Sequence, residues 1–414
     1  MQSINKSDAG ILRDLGRQVA EVAAIPKHQE TIRLWKALNG LKPVRPMVMI
    51  DQIPWHEMNV NDELTLRTEG RDARGIETRL RQTLYRWRHM PADFVVEPRW
   101  EVPRAITGWH FGLTIEEDRA VSDPQNSVVG HLYHDQLQTE ADLEKITIPI
   151  LGHDTAETAK RVAAMKDLFD GIFPIVEVCE APMLNMWDMI VMWRGAENIL
   201  VDLGERPEFI HQLMKRLAAA LTALVDQLES LGVMTGPQSW IHCTGAFTDE
   251  LPASGSLPGR IRARDVWTCG MAQIFSSVSP AMHQEFELDY MNPIYKRFGL
   301  VYYGCCEPLD RKMDMVRKIP NVRKISMSPW VDVEVAAAQV GRDFVFSRKP
   351  TPALLAVDRW DPSAVEKDLR ATLDACRRHG CPVELILKDI STVRYKPQRL
   401  WEWAAIAQRL VSGG

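Results

Sequence analysis

The stretch Asp361–Lys388, DPSAVEKDLRATLDACRRHGCPVELILK, holds one complete structural phrase of this chain. Asp361 stands where an N-cap side chain accepts from free amide groups. Pro362 follows at the first helical position, where its missing N–H is not needed. Val365, Leu369, Leu373 and Cys376 recur at three- and four-residue spacing, which predicts an amphipathic helix ending at His379. Gly380 supplies a left-handed stop. Val383–Leu387 then reads as a short buried strand, and Lys388 and Asp389 emerge at its C-terminal end.

The same phrase recurs towards the N-terminus. The best second helix is Pro207–Leu231, where Ile210, Leu213, Leu217, Leu221, Leu224 and Leu228 form one stripe before Gly232. Seven further apolar runs read as strands: Pro46–Ile50, Phe94–Val96, Ile175–Val178, Ser239–His242, Leu300–Tyr303, Lys324–Met327 and Phe344–Phe346. They show little strict alternation, as strands buried on both faces do. Strands alternating with helices predict an α/β fold with a parallel sheet, and eight of them favour closure into a (β/α)₈ TIM barrel. A doubly wound open sheet is the alternative. Such a sheet normally carries a G-x-G-x-x-G or P-loop motif, and neither occurs.

Residues 1–42 read as an N-terminal helical extension, with Leu12, Leu15, Val19, Ile32, Trp35 and Leu38 at helical spacing before Gly40 and Pro43. Residues 43–414 form the expected barrel. Within it, about 100–154 is polar and aromatic and fits no strand–helix unit; it reads as an insertion over the barrel mouth, either a lid or a homodimer arm.

Composition bounds the function. The chain has 414 residues, 45% hydrophobic and 25% charged, with a formal net charge of −5. That balance argues against nucleic acid or an anionic membrane as partner. No apolar run reaches the roughly 18 residues of a membrane span. The first residues, Met1–Lys6, lack the apolar core of a signal peptide, and seven thinly spread cysteines suit a reducing cytoplasm.

In a barrel, chemistry follows the C-terminal ends of the strands. Those ends carry Asp51 to His56, Glu180, His242-Cys243, Cys305-Cys306-Glu307 and Lys388-Asp389. Cys305 and Cys306 are the sharpest signal: with His242 or Asp389 they offer ligands for a zinc ion with one position open. Buried free cysteines also serve as plain core residues, and Cys179, Cys269, Cys376 and Cys381 are assigned to packing. Asp51, Glu180, Glu307 and Asp389 are candidate acids or bases, although Asp51 and Glu180 could equally cap helices. Trp55, Trp187, Trp330, Tyr302 and Tyr303, with His242, suit the wall of a site for a flat organic substrate.

At these residues the chain resembles the uroporphyrinogen-decarboxylase-like superfamily, from about Arg45 onward. Pro174–Leu231 with its Glu-Ala-Pro segment, Val278–Phe286 leading to Tyr290, and Val301–Cys306 carry the resemblance. It implies a TIM barrel and one of two activities: cofactor-free decarboxylation or zinc-dependent methyl transfer to cobalamin. The decarboxylases carry arginines after the first strand. Here that place holds Asp51-Gln52-Ile53-Pro54-Trp55-His56, which binds a polycarboxylate poorly. The thiol methyltransferases use His-x-Cys; here Tyr303 or Gly304 stands at the histidine position and Asp389 follows the eighth strand. Gly304–Pro308 together with Ile325–Trp330 is most similar to the branch associated with O-demethylases. That branch implies transfer of a methyl group from a methoxylated aromatic, or a similar small donor, to cob(I)alamin. No D-x-H-x-x-G motif is present, so the corrinoid is expected on a partner protein. The competing expectation is a cofactor-free decarboxylase of a small carboxylated substrate.

Overall fold

A computed structural model describes residues 4–121, 123–126, 128–257 and 259–413. The opening stretch folds as its sequence reads. Asp361 caps the helix Pro362–His379 by accepting from the Ser363 and Ala364 amides, and Gly380 closes it at φ 72°. Val383–Leu387 follows as a fully buried strand.

Among the described residues, eight strands of the chain pair in parallel. They are β1 (Met47–Ile50), β2 (Trp100–Pro103), β3 (Ile175–Val178), β4 (Trp267–Gly270), β5 (Leu300–Tyr303), β6 (Val322–Met327), β7 (Val345–Arg348) and β8 (Val383–Leu387). Six form one sheet in the order β1-β8-β7-β6-β5-β4, while β2 and β3 pair with each other. A continuous closed ladder is not formed among the described residues. The β3 side is joined to β4 through Leu184, whose amide donates to Cys269 O at 2.7 Å. The β1 side is joined to the segment before β2 through Asp93, whose amide donates to Val48 O at 2.8 Å.

Alternation along the sheet strands sorts two cores. Val48, Ile50, Val301, Tyr303, Ile325, Phe346, Leu385 and Leu387 face the helices in one cluster. Met47, Met49, Trp267, Cys269, Leu300, Tyr302, Val345 and Ile386 face inward in another. The inward cluster also contains Ile241, Cys243 and Ala246, from a segment that is not a sheet strand. Ser239–His242 was expected as the fourth strand. Instead Trp240–Ile241 and Thr244–Gly245 pair as an antiparallel hairpin with His242 in its turn at φ 53°. The fourth sheet strand is WTCG at Trp267–Gly270, where Thr268 and Gly270 break up the apolar run that marks the other strands.

A second difference concerns Phe94–Val96, which is not a strand. The strand lies six residues later at Trp100–Pro103, inside the expected insertion, and is disguised by Glu101 and Pro103. The remaining insertion holds two antiparallel pairs, Ile106–Thr107 with Gly152–His153 and Glu117–Ala120 with Gly130–Tyr133. The N-terminal extension is two helices, α1 (Lys6–Ala23) and α2 (Lys27–Asn39). α2 seals the hairpin end of the inner core: Trp35 Nε1 donates to Asp93 O at 2.7 Å and Asn39 Nδ2 to Phe247 O at 2.7 Å. Among the described residues, no helix is long and apolar enough to cross a membrane.

Candidate active site

The C-terminal ends of β5, β8 and β7 and the tip of the inner hairpin converge. Lys388 Nζ lies 3.0 Å from Cys305 Sγ, and Cys305 Sγ lies 3.7 Å from Cys306 Sγ. Gly304 makes this turn possible. Its φ is 92°, and a Cβ there would stand 2.6 Å from the Leu309 side chain, so the chain leaves β5 along a path open to glycine. Glu307 then fixes the turn from behind. Fully buried, it accepts from Ala272 N and Cys305 N at 2.9 Å each and so ties the loop after β4 to the loop after β5.

The two thiols are unlike. Cys305 donates towards Cys306, and this, with burial, pushes Cys305 up, while the neighbouring His242 and Lys388 pull it back. The same interaction pulls Cys306 down, so Cys306 is the readier thiolate and is also the less buried of the two. Burial opposes the charge of Lys388, but Cys305, Cys243 and Asp389 more than offset it and the net shift is upward. Beneath them, Lys349 donates to Tyr302 Oη and, at 2.9 Å, to Ser347 Oγ. The His242 ring lies 5.2 Å from the Tyr302 ring, and its buried Nε2 has no hydrogen-bond partner among the described residues.

Asp188, in the helix Met186–Arg194 that follows β3, is held by Gln273 Nε2 at 3.0 Å and Asn185 Nδ2 at 3.3 Å. Burial pushes its carboxyl up, and the two amides and the charges of His242 and Lys388 only partly reverse this. A carboxyl in that state keeps its proton longer than an exposed one and can donate it. Three residues of the rim, Gln52, His242 and Asp389, have φ of 49°, 53° and 56°. Such non-glycine backbone costs about 1–3 kcal/mol each and is found where a fold holds side chains for function. Gln52 Oε1 accepts from Asp389 N at 3.0 Å, joining the ends of β1 and β8.

The insertion reaches over this end. Asn126 Nδ2 donates to Ser391 O at 3.2 Å and Tyr395 Oη to Asp123 Oδ2 at 3.1 Å, so the turn between the two strands of the Glu117–Tyr133 hairpin rests on the loop after β8.

The structure gathers some expected residues and not others. Cys305, Cys306, His242, Tyr302 and Asp389 share the end described, and Asp51 and Trp55 lie at its β1 side. Tyr303 points to the opposite face and bonds His283 Nε2 at 2.7 Å. Trp187 is fully buried against Phe275, with ring centroids 4.5 Å apart, and Trp330 is 77% exposed. Glu180 lines a separate cavity of about 290 Å³ with Glu101, Arg104 and Trp240. His242 does not follow a sheet strand as expected but reaches the site from the hairpin. Lys349, Lys388 and Asp188 complete it. The lysines stand directly after β7 and β8, so the strand-end rule alone singles them out; Asp188 has no such signal.

A zinc ion needs three or four ligands. Among the described residues no three His, Cys, Asp or Glu side chains are grouped to hold one. Lys388 Nζ, 3.0 Å from Cys305 Sγ, sets a positive charge against the thiol. The donor set as arranged does not fit zinc.

No protein-family model matches the chain, and no curated protein matches it. Among solved structures it is similar to a methyltransferase from Methanosarcina mazei, with a TM-score of 0.50 at 12% identity over 91% of this chain and 98% of that one. At that identity the likeness concerns the fold.

Proposed function

We propose that the chain is a methyltransferase that moves a methyl group from a methoxylated aromatic, or a similar small ether, to cob(I)alamin carried by a corrinoid-binding partner. The observation that carries the reading is the thiol–lysine cluster with Asp188, whose carboxyl burial pushes up, beside it, set beneath a hairpin that can exclude water. The fold likeness to a methyltransferase agrees with it, as does the resemblance of the Gly304–Pro308 segment. We also read the eight strands as a barrel with two seams, the N-terminal helices as its extension and the cytoplasm as its compartment.

An ether oxygen is a poor leaving group, and a proton arriving as the C–O bond breaks removes the difficulty. The methyl carbon passes to the corrinoid, the oxygen keeps the bonding pair, and Asp188 or Lys388 supplies the proton that makes it a phenol. Tyr302 and His242 hold the ring, and Lys349 fixes the Tyr302 hydroxyl. Asp51 and Asp389 at the rim orient donor and partner.

Lys388 favours one second reading, a cofactor-free decarboxylase, because an ammonium in a buried site stabilises the charge left by departing CO₂. One experiment separates the two. The purified chain is incubated with a panel of methoxyarenes and a reduced corrinoid protein, and the corrinoid spectrum and phenol release are followed. Methylation that falls at least roughly hundred-fold in Asp188→Asn and Lys388→Met, with folding intact, supports the methyltransferase. CO₂ release from arene carboxylates with no corrinoid methylation overturns it.

A further inference from the structure

The helix α3 (Arg71–His89) is turned the unusual way round. In a strand–helix unit the apolar stripe of the helix covers the sheet. Here Ala73, Ile76, Leu80 and Leu84 pack instead on Leu12, Leu15 and Val19 of α1. The polar stripe Thr78, Arg79, Gln82, Thr83 and Arg86 has spacing that keeps one helix face, and it looks towards the seam where β1 and β2 share no ladder. A cavity of about 560 Å³ separates it from Asp51, Gln52, Ile53 and Trp55. Arg79, Thr83 and Arg86 continue into a second cavity of about 210 Å³ beside Phe94 and Trp100.

The two arginines of this stripe are unneutralised. Neighbouring arginines are paired: Arg81 with Glu77 at 2.7 Å, Arg88 with Glu63 at 3.0 Å, and Arg99 with Glu101 at 2.8 Å. Arg79 and Arg86 have no carboxylate within 4.0 Å among the described residues. Their planes lie on aromatic rings, Arg79 4.3 Å from the Trp100 centroid and Arg86 4.7 Å from that of Phe94. Arg86 spends one donor on Ile50 O at 3.0 Å, which leaves the rest of its fork free. Burial works against the Arg86 charge, and Glu101 and Asp51 reach Arg79 and Arg86 only through space. Arg86 is half-buried and Arg79 exposed at the mouth of the cleft; cations without a paired carboxylate, backed by rings and facing a cavity, attract an anion from outside.

We propose that this cleft binds a small organic carboxylate, its oxygens on the guanidinium groups of Arg86 and Arg79 and its apolar body against Trp55 and Ile53. The planar fork of arginine matches a carboxylate, and Asp51 in the cavity wall disfavours a doubly charged ligand such as phosphate. The site stands on α3 and the seam, not on Cys305, and holds whether or not the methyl-transfer reading does.

The test titrates the full-length protein with sodium benzoate, with benzamide and inorganic phosphate alongside, by calorimetry and tryptophan fluorescence. Benzoate is expected to saturate, and benzamide of the same shape to bind roughly ten-fold more weakly or worse, the loss of one charge-assisted contact. Arg79→Gln leaves the Arg86–Ile50 bond in place and is expected to fold as wild type with a similar loss. Arg86→Lys keeps the charge but loses the fork and is expected to weaken benzoate as well. No saturation by benzoate, equal binding of benzamide, tighter binding of phosphate, or affinity unchanged in both variants would each overturn the proposal.

Discussion

Glu384 and Lys388 stand four residues apart on the same face of β8, and their surroundings differ completely. At the Glu384 end, Lys324 Nζ lies 2.8 Å from the carboxylate and 3.0 Å from Gly245 O, and Thr244 Oγ1 donates to the same carboxylate at 2.7 Å. Lys324 and Glu384 are both fully buried, α2 closes over them, and only Glu384 Oε1 lacks a partner. At the Lys388 end, the lysine faces a thiol and meets a carboxylate only at 3.5 Å, on the exposed Asp389; His242 Nε2 is unpartnered among the described residues, and rim backbone is held in left-handed conformations. One strand thus carries a tight, buried ion pair where stability is needed and leads at its end to a cation with only a looser, exposed partner where chemistry is expected. In parallel α/β folds the two ends of the strands divide these tasks.

The largest effect expected from breaking this division lies at the matched end. Glu384→Ala leaves Lys324 charged in the dry core and is expected to cost about 3–5 kcal/mol in urea unfolding, whereas the Lys324→Met/Glu384→Leu pair regains most of it. A single variant losing less than about 1 kcal/mol would show that water reaches this end. Next comes a buried carboxyl with no cation on it. Glu287 is pushed up to about 8 by burial, although Tyr295 Oη donates to it at 2.9 Å; nearby are Tyr303 and Glu307. An acid raised on folding keeps its proton in the native state while the unfolded chain loses it near the ordinary value of 4.5. Stability is therefore expected to fall by roughly 4 kcal/mol as pH rises from 4.5 to 8, and Glu287→Gln to flatten that part of the curve. A slope unchanged in the variant would assign it to other groups.

The sequence made one half of this division readable. The helix Pro362–His379, its caps and β8 follow from Asp361, Pro362 and Gly380 alone, because capping and periodicity are local. Lys388, Cys305 and Cys306 stood at strand ends for the same reason. What stayed hidden depends on distant partners. Trp267–Gly270 is a strand because Leu300–Tyr303 pairs with it, and four residues ending in glycine are too short a run to announce it. His242 reaches the site because a hairpin enters the inner core, which no local pattern encodes. The buried place of Glu307 could not be separated from a catalytic one, since its two amide donors come from Ala272 and Cys305.

At the loosely paired end, replacing the cation is expected to change reactivity and not stability. Lys388→Met fills the same space without a charge, so unfolding should move by no more than about 1 kcal/mol. The thiols lose the ammonium that favours their ionised forms, and alkylation of Cys306 by iodoacetamide near pH 8 should slow several-fold. The variant should also hold added zinc more tightly than wild type, because the repelling ammonium is gone. Large destabilisation with unchanged alkylation would mean that the two ends of β8 do the same work.

The smallest effect is expected at the lid. Tyr395→Phe removes one exposed bond to Asp123, and exposed pairs of this kind contribute about 0–1 kcal/mol, so the unfolding midpoint should hardly move. Local opening is a different quantity, governed by the few contacts that fasten a segment and not by the global core. Amide exchange in the Glu117–Tyr133 hairpin should therefore quicken in the variant while exchange in β5 and β8 stays as it was. If exchange quickens equally in all three, the hairpin belongs to the same cooperative unit as the sheet and cannot open by itself to admit a partner. If only the hairpin responds, the loosely paired end of β8 has a cover that moves independently of the tightly paired end, as an enzyme receiving a large partner requires.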